Sequence, residues 1–334
     1  MTDIGPKATR SARSAAPATA CTVAVDLGGT NVRAAAVDRQ GSILVRRRIP
    51  TPRSQPTPQF LVDLIREVAA EVARLDEGAA GVDQVVVGLP GVIDQLNEQL
   101  ITGVNLPQQW VPLINEDWIA EHVGLEVSLA NDADLAAVGE SEFGAGRNLR
   151  DVVYVTISTG VGAGMVVNGR LVQGSLSGGE LGHTVIDWPA AERGEPATVE
   201  DLGSGTAIER RAAAAGLVVR GADLAEAVRR GEEPARTIWT RAIGAVGIGV
   251  ANMAWILSPQ IVIVGGGVGV NGDIVLPVLR DQLRRYGPGD GPRIELAVAE
   301  LGDDAALIGA AAWWRAIGRS DSPEERVDPP SEPG

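Results

Sequence analysis

The feature that most constrains this chain is a strand, a small-residue turn and a second strand, a unit that occurs twice. The first reads CTVAVD, LGG, TNVRAAAVD over residues 21–38, and the second VYVTI, STGVG, AGMVV within residues 153–167. In each, an apolar run of strand length enters small residues and leaves at once as another strand, which is the pattern of a hairpin. Small residues in such a turn let backbone N–H groups come close to an anion. Aligning Asp26 with Ser158 sets Gly28 against Gly160. This weak internal duplication predicts two hairpins that face one phosphate chain from two domains. Taken alone, the first unit fits an empty tight hairpin as well.

The pattern elsewhere predicts alternating elements. ILVRRRIPT adds a third strand, and FLVDLIREVAAEVARL places Phe60, Leu61, Leu64, Ile65, Val68 and Val72 on one helical stripe. VDQVVVGLPGVID is a buried strand running into a loop with Pro90 and Gly91. LEVSLAN is a short strand that turns at Asn131 and Asp132 into a helix, so Asp132 sits near a helix start, where a carboxylate meets free N–H groups. Helices are expected over residues 207–230 and 237–257. PQIVIV is a strand entering glycines, and ELAVAE is a strand followed by a helix that starts near Asp303 or Asp304. The order predicts a mixed sheet covered by helices. We expect a leader over 1–20, an N-terminal α/β domain over 21–117 completed by a helix at 303–318, a C-terminal α/β domain over 118–302, and a tail at 319–334.

Composition removes several classes of function. The 334 residues suffice for two domains, and a formal net charge of −14 argues against nucleic acid or an anionic membrane as partner. Cys21 is the only cysteine and His122 and His183 the only histidines, so neither an internal disulfide nor a zinc cluster is expected. Lys7 is the only lysine and lies in the polar leader, which excludes a lysine-bearing phosphate loop. A dinucleotide fingerprint fails as well, because a strand rather than a helix follows the first glycines. With no run of eighteen or more apolar residues and no signal-like segment, the expected location is the cytoplasm.

The motifs that remain make up a set for phosphoryl transfer, which needs positioning, a metal and charge stabilisation. Asp26 can orient Mg²⁺ through water. The backbones of Gly28, Gly29 and Thr30, and of Thr159, Gly160 and Gly162, can approach phosphates. Gly265, Gly266 and Gly267 can let an adenine and ribose lie against the chain. Asp132 can take a proton from a hydroxyl, with Asp134 as the neighbouring competitor for that role.

These motifs, in this order over residues 21–318, resemble those of the ROK family of bacterial sugar kinases. AVDLGGTNVRAAAVD and ISTGVGAGMVVNG are similar to that family's two phosphate motifs, and IVIVGGGVGVNGD to its nucleotide-binding turn. The resemblance implies a two-domain, actin-like ATPase (ribonuclease H-like) α/β fold with the active site in an interdomain cleft. It implies transfer from ATP with Mg²⁺ to the primary hydroxyl of a hexose, foremost glucose, and a homodimer. GLPGVID, GVNLPQQW, LANDADLAAVGE and SGGELGH match the sugar-site segments. They imply Gly91, Asn105, Asn131, Glu180 and His183 as substrate contacts and Asp132 as the catalytic base. Trp110, just after the Asn-Leu-Pro element, adds to the expected pocket.

One departure stands out. Where the family carries a zinc-binding cysteine cluster, this chain has HTVIDWPAAERGEPATVEDLGSG, without a cysteine. Glu200 still falls where the family places a sugar-binding glutamate, and packing by Val185, Ile186, Trp188 and Val199 is expected to supply some of the stability the metal would give. Kinases of aminosugars such as kanosamine or of C7-cyclitols share these motifs. A sugar-responsive regulator without catalysis is the reading from another class, but the short leader contains no DNA-reading helix.

Overall fold

The computed structural model describes residues 20–75, 81–217, 221–289 and 294–318. The expected tail and all but Ala20 of the expected leader lie outside them. The chain begins with β1 (Cys21–Leu27), β2 (Asn31–Asp38) and β3 (Ile43–Pro50), followed by α1 (Gln59–Leu75), β4 (Val82–Leu89), β5 (Gly91–Asp94) and β6 (Gln99–Gly103). Helix α2 (Glu116–Val123), β7 (Glu126–Asn131) and α3 (Asp132–Glu142) lead into β8 (Val152–Ile157), β9 (Val161–Val167) and β10 (Arg170–Leu171). Helices α4 (Trp188–Glu192), α5 (Val199–Gly203), α6 (Gly205–Ala214), α7 (Gly221–Arg229) and α8 (Ala235–Leu257) come next. Then follow β11 (Ile261–Gly265), α9 (Gly266–Gly269), α10 (Gly272–Tyr286), β12 (Glu295–Val298), α11 (Ala305–Gly309) and α12 (Trp313–Ala316).

Two five-stranded sheets repeat one topology. The first runs β3-β2-β1-β4-β7 and the second β10-β9-β8-β11-β12. In both, the opening hairpin is antiparallel and the inner strands are parallel. The duplication is real, but its register differs from the expected one. Asp26 pairs with Arg33 and lies beside Gly88. In the second sheet the residue so placed is Thr156, which pairs with Gly162 and lies beside Gly265. Thr156, not Ser158, is therefore the counterpart of Asp26. A slip of two residues keeps every side chain on its face, so alternation alone could not expose it.

Three cores separate the layers. One lies between the first sheet and α1 and α2, and another between the second sheet and the helices around α8 and α10. The third lies between the sheets. It joins Ala24, Ala35 and Val86 to Val152, Tyr154 and Ile263 through α3, α11 and α12. Helices α3 and α11 cross so closely that a Cβ on Gly309 would stand 1.9 Å from the Leu135 carbonyl oxygen. A boundary at 117/118 is corrected by this arrangement. It would cut α2 and detach β7, which pairs with β4 in the first sheet; the chain crosses to the second sheet along α3. A strap also ties the halves, since Ser177 N–H donates to the Ile93 carbonyl at 3.0 Å and Gln95 N–H to the Ser175 carbonyl at 2.9 Å.

Candidate active site

Asp132 owes its position to Asn131. Asn131 has extended backbone, and its Oδ1 accepts from the N–H groups of Ala133 at 2.8 Å and Asp134 at 3.3 Å, capping α3. Its Nδ2 donates to the Gly91 carbonyl at 3.1 Å. Both polar ends of this buried side chain are thereby engaged, so Asn131 acts in the structure as a brace for Asp132. Gly91 must be glycine, because φ is +142° and a Cβ would meet the Thr102 oxygen at 1.9 Å.

Asp132 accepts from the Ala133 N–H at 2.8 Å through Oδ1. Burial, and then the nearby charges of Asp26 and Glu180, push its pKa up to about 7, against the pull of those N–H groups. Asp134, two residues on, is fully buried, and among the described residues neither carboxylate oxygen has a hydrogen-bond partner. Burial, with the charges of Asp132 and Glu180, drives its pKa well above the ordinary aspartate value and so favours the neutral acid.

The first hairpin turn lies on one side of Asp132. Gly28 N–H donates to the Asn31 carbonyl at 3.0 Å, and Thr30 O accepts from Thr51 N–H at 2.9 Å. A Cβ on Gly29 would stand 2.7 Å from the Cβ of Asn105, so the expected phosphate turn and the expected sugar contact are neighbours. Asn105 is exposed, with φ of +61°. Trp110 is not in a pocket: it is fully buried, its ring 5.1 Å from that of Phe60 and its indole N–H on the Gln55 carbonyl.

Arginines around this turn escaped the sequence reading. Arg33 holds Asp26 Oδ2 with both Nε (2.9 Å) and Nη2, while its Nη1 reaches the Asp303 carbonyl at 2.6 Å. Arg48 Nε donates to Asn31 Oδ1 at 3.3 Å, and Arg53 Nη1 to the Gly29 carbonyl at 3.4 Å. The signal was present in the hairpin register, which sets residue 33 opposite residue 26 and residue 48 opposite residue 33.

The second turn lies on the other side. Gly162 comes within van der Waals reach of Ala133, where a Cβ would be 3.5 Å from the Ala133 Cβ. Ser158 N–H donates to the Gly160 carbonyl at 2.9 Å. Glu200 Oε2 accepts from Val161 N–H at 2.8 Å, and a Cβ on Gly160 would lie 2.5 Å from that same oxygen. The space beside Gly160 is thus filled by Glu200. Thr159 O accepts from Thr206 Oγ1 at 2.8 Å. Glu180 precedes the single turn Leu181–His183; its pKa is raised by burial and by Glu200, with His183 opposing. His183 Nε2 stands 3.8 Å from Glu180 Oε2 and is largely exposed. Beyond, Gly265 ends β11 against the Tyr154 ring, Gly266 has φ of +80°, and a Cβ on Gly267 would meet nothing within 4 Å. Gly267 therefore offers open surface.

The segment lacking cysteines closes on itself. Ile186 N–H donates to the Ala197 carbonyl at 2.9 Å and Val199 N–H to the Thr184 carbonyl at 3.0 Å. Thr198 and Asp201 form a reciprocal capping box on α5. Val199 is buried and Ile186 packs on the second core, but Val185 and Trp188 are exposed and contribute no such packing. No group of three or more His, Cys, Asp and Glu able to hold a metal occurs among the described residues.

Two matched α/β halves, joined by a shared helical core and carrying a helix-start aspartate between two glycine turns, define a two-domain sugar-kinase fold. Residues 22–317 match the ROK family. The chain belongs to this family of sugar kinases. It is 31% identical over 313 residues to a glucokinase of Streptomyces coelicolor, covering 87% of this chain and 96% of the relative. A similar identity, 31% over 314 residues, relates it to an N-acetylmannosamine kinase of Haemophilus influenzae, covering 91% of this chain and 98% of that one. Among solved structures, a ROK glucokinase from Streptomyces griseus in complex with glucose and AMPPNP aligns with a TM-score of 0.70 at 32% identity, over 87% of this chain and 98% of that one.

Proposed function

We propose that this chain transfers the γ-phosphoryl group of ATP, with Mg²⁺, to the primary hydroxyl of a hexose, foremost glucose. The observation that carries this reading is Asp132, set at a helix start between two glycine turns with a pKa of about 7. Such a carboxylate is about half ionised at neutral pH and holds a proton better than an ordinary aspartate. It takes the hydroxyl proton as the oxygen attacks. Asn105, Glu180, His183 and Glu200 hold the other hydroxyls, with Gly91 bounding the site and Asn131 fixing Asp132. The N–H groups of Gly29, Thr30, Thr159, Gly160 and Gly162 stabilise charge on the phosphoryl oxygens, while the Gly28 N–H closes the first turn onto the Asn31 carbonyl. Gly267, with the half-buried Gly266, gives the nucleoside a side-chain-free surface, whereas the expected contact Gly265 is buried against Tyr154 and supports that turn from beneath. The donor set suits a Mg²⁺ brought in by the nucleotide: Asp26 offers one carboxylate, with Oδ2 held by Arg33 and Oδ1 left for the metal's water shell. Bound there, Mg²⁺ would neutralise charge on the transferring group.

The similar identity to an N-acetylmannosamine kinase gives a second acceptor class, the aminosugars. The cysteine-free segment beside His183 keeps kanosamine and C7-cyclitols in the same set. A cytoplasmic homodimer, with neither nucleic acid nor membrane as partner, belongs to the same reading. Helix α8 is long and apolar enough to cross a membrane, but its residues build the second core. The deciding experiment measures ADP release with ATP and Mg²⁺ over a panel of glucose, N-acetylmannosamine, kanosamine and a C7-cyclitol. Turnover with glucose above the rest supports the proposal. Sugar binding without turnover on any acceptor would make the protein a regulator.

A further inference from the structure

The second glycine turn is gripped by one short segment. Gly205 N–H donates to the Ser158 carbonyl at 2.7 Å, and Thr206 Oγ1 to the Thr159 carbonyl at 2.8 Å. The third contact differs in kind. Glu200 Oε2 accepts from Val161 N–H at 2.8 Å, which puts a carboxylate against Gly160, within the stretch that would meet the donor's phosphates. Its other oxygen, Oε1, lies 3.9 Å from where a Gly160 Cβ would be, and among the described residues it has no hydrogen-bond partner. Glu180, the adjoining acid of the acceptor side, lies close enough for the Glu200 charge to raise its pKa. Glu200 thus stands between the acceptor side and the donor turn, with one oxygen committed to the turn and one open. A charge this near to phosphate oxygens opposes their approach, and the more so out of bulk water.

From this we infer that Glu200 is a positioning residue that couples the two substrate sites. Without sugar its carboxylate occupies the Val161 N–H and holds the donor turn unfavourable to phosphate. A sugar hydroxyl donating to Glu200 draws its charge toward the acceptor, and the turn then accepts the nucleotide. The inference rests on the proposed function for the places of sugar and nucleotide. It adds that acceptor binding licenses donor binding, so the enzyme does not spend the donor on water.

Coupling of this kind is reciprocal and readable as a binding difference. Titration calorimetry with Mg·ADP compares the wild type, Glu200→Gln and Thr206→Val, each without sugar and with the sugar that best supports turnover. Glu200→Gln keeps the shape and an acceptor for Val161 N–H but removes the charge. It is expected to bind Mg·ADP without sugar ~5-fold or more tightly than the wild type, and to gain less from added sugar. Thr206→Val removes an uncharged contact to the same turn and is expected to bind no more tightly than the wild type. Glu200→Ala, expected to shift in the same direction, replaces Glu200→Gln if circular dichroism shows that variant unfolded. Equal or weaker sugar-free binding by the Glu200 variants would overturn the inference, as would tightening by Thr206→Val to the same extent. The sugar-free arm uses no acceptor, so a wrong choice of sugar would remove the wild-type enhancement and leave the difference between variants in place.

Discussion

Asp132 and Asp134 are two residues apart on one helix start, yet their surroundings give them different chemistry. Asp132 is half-buried, hydrogen-bonded and at the site, while Asp134 is sealed in the core without a hydrogen-bond partner among the described residues. Asp132→Asn nearly preserves size but cannot take a proton, so kcat should fall roughly 10²–10⁴-fold, with sugar binding weakened much less; steady-state kinetics beside sugar titration measure both. A collapse in Asp134→Asn with near-normal kcat in Asp132→Asn would move the base two positions. The proposed base must be ionised to act, and burial pushes the Asp132 pKa up to about 7, so kcat/KM should decline as pH is lowered through that value; a profile flat down to pH ~5 would remove it from the mechanism. For Asp134 the folded pKa is raised, so ionisation opposes folding. That group's stability is intact below the ordinary aspartate range and is lost as pH rises toward the folded pKa. Asp134→Asn should therefore melt higher than the wild type, by a margin that widens as pH rises above the ordinary aspartate range, and a margin that narrows would contradict a buried neutral acid. The Asn-Asp pair ahead of a helical pattern made Asp132 legible in the sequence, because capping is local. Arg33 was not legible from spacing alone: its contact with Asp26 exists only across a folded hairpin, and its grip on Asp303 spans the chain.

At the scale of elements, strands and helices were legible where period and length agreed. The stripe from Phe60 to Val72 lies within α1, and the glycine-interrupted run from Thr237 lies within α8. Register was less legible, because a period of two cannot tell Ser158 from Thr156 as the counterpart of Asp26. Gly160→Val would fill the second turn, but its side chain first meets Glu200. We expect the variant to lose the Val161–Glu200 contact and to raise KM for both ATP and sugar, while circular dichroism reports a folded protein; a change in ATP KM alone would separate the turn from Glu200. The segment from Thr184 to Val199 answers the absence of cysteines in the same local way. Its backbone hydrogen bonds and the capping box hold it shut, so the protein should stay active with Mg²⁺ after EDTA dialysis and contain far less than one zinc per chain. Stoichiometric, tightly held zinc would show that other ligands had taken over. That Val185 and Trp188 face outward was not legible, since an apolar residue in a short irregular segment carries no period to assign its side.

For the whole molecule, what composition and pattern could not show is how the two sheets are joined. The sequence repeats a half, but the third core is made by neither half alone, since it takes one face of each sheet and seals them through α3, α11 and α12. That seal depends on two glycines. A Cβ on Gly139 would lie 2.3 Å from the Ala305 oxygen, and one on Gly309 would lie 1.9 Å from the Leu135 oxygen and 2.8 Å from the Gly139 nitrogen. Those neighbours are backbone and cannot turn aside as a side chain would. Gly309→Ala consequently sets two effects against each other. Alanine in a helix is favoured over glycine by about 1 kcal/mol, whereas forcing an atom into a packed crossing costs roughly 1–3 kcal/mol, occasionally more. With backbone on both sides overpacking should win, so Gly309→Ala should lower Tm and, by loosening the crossing between the halves, raise KM for ATP and sugar together. Gly267→Ala is the control, because its new Cβ meets nothing within 4 Å. It should leave Tm unchanged and affect only the nucleotide, whose approach it narrows. Thermal melting with kinetics on both variants separates the glycine that joins the halves from the glycine kept open for a ligand. A higher Tm in Gly309→Ala would mean that α3 and α11 stand far enough apart to admit a methyl group, and the shared core would no longer explain how the two halves are held.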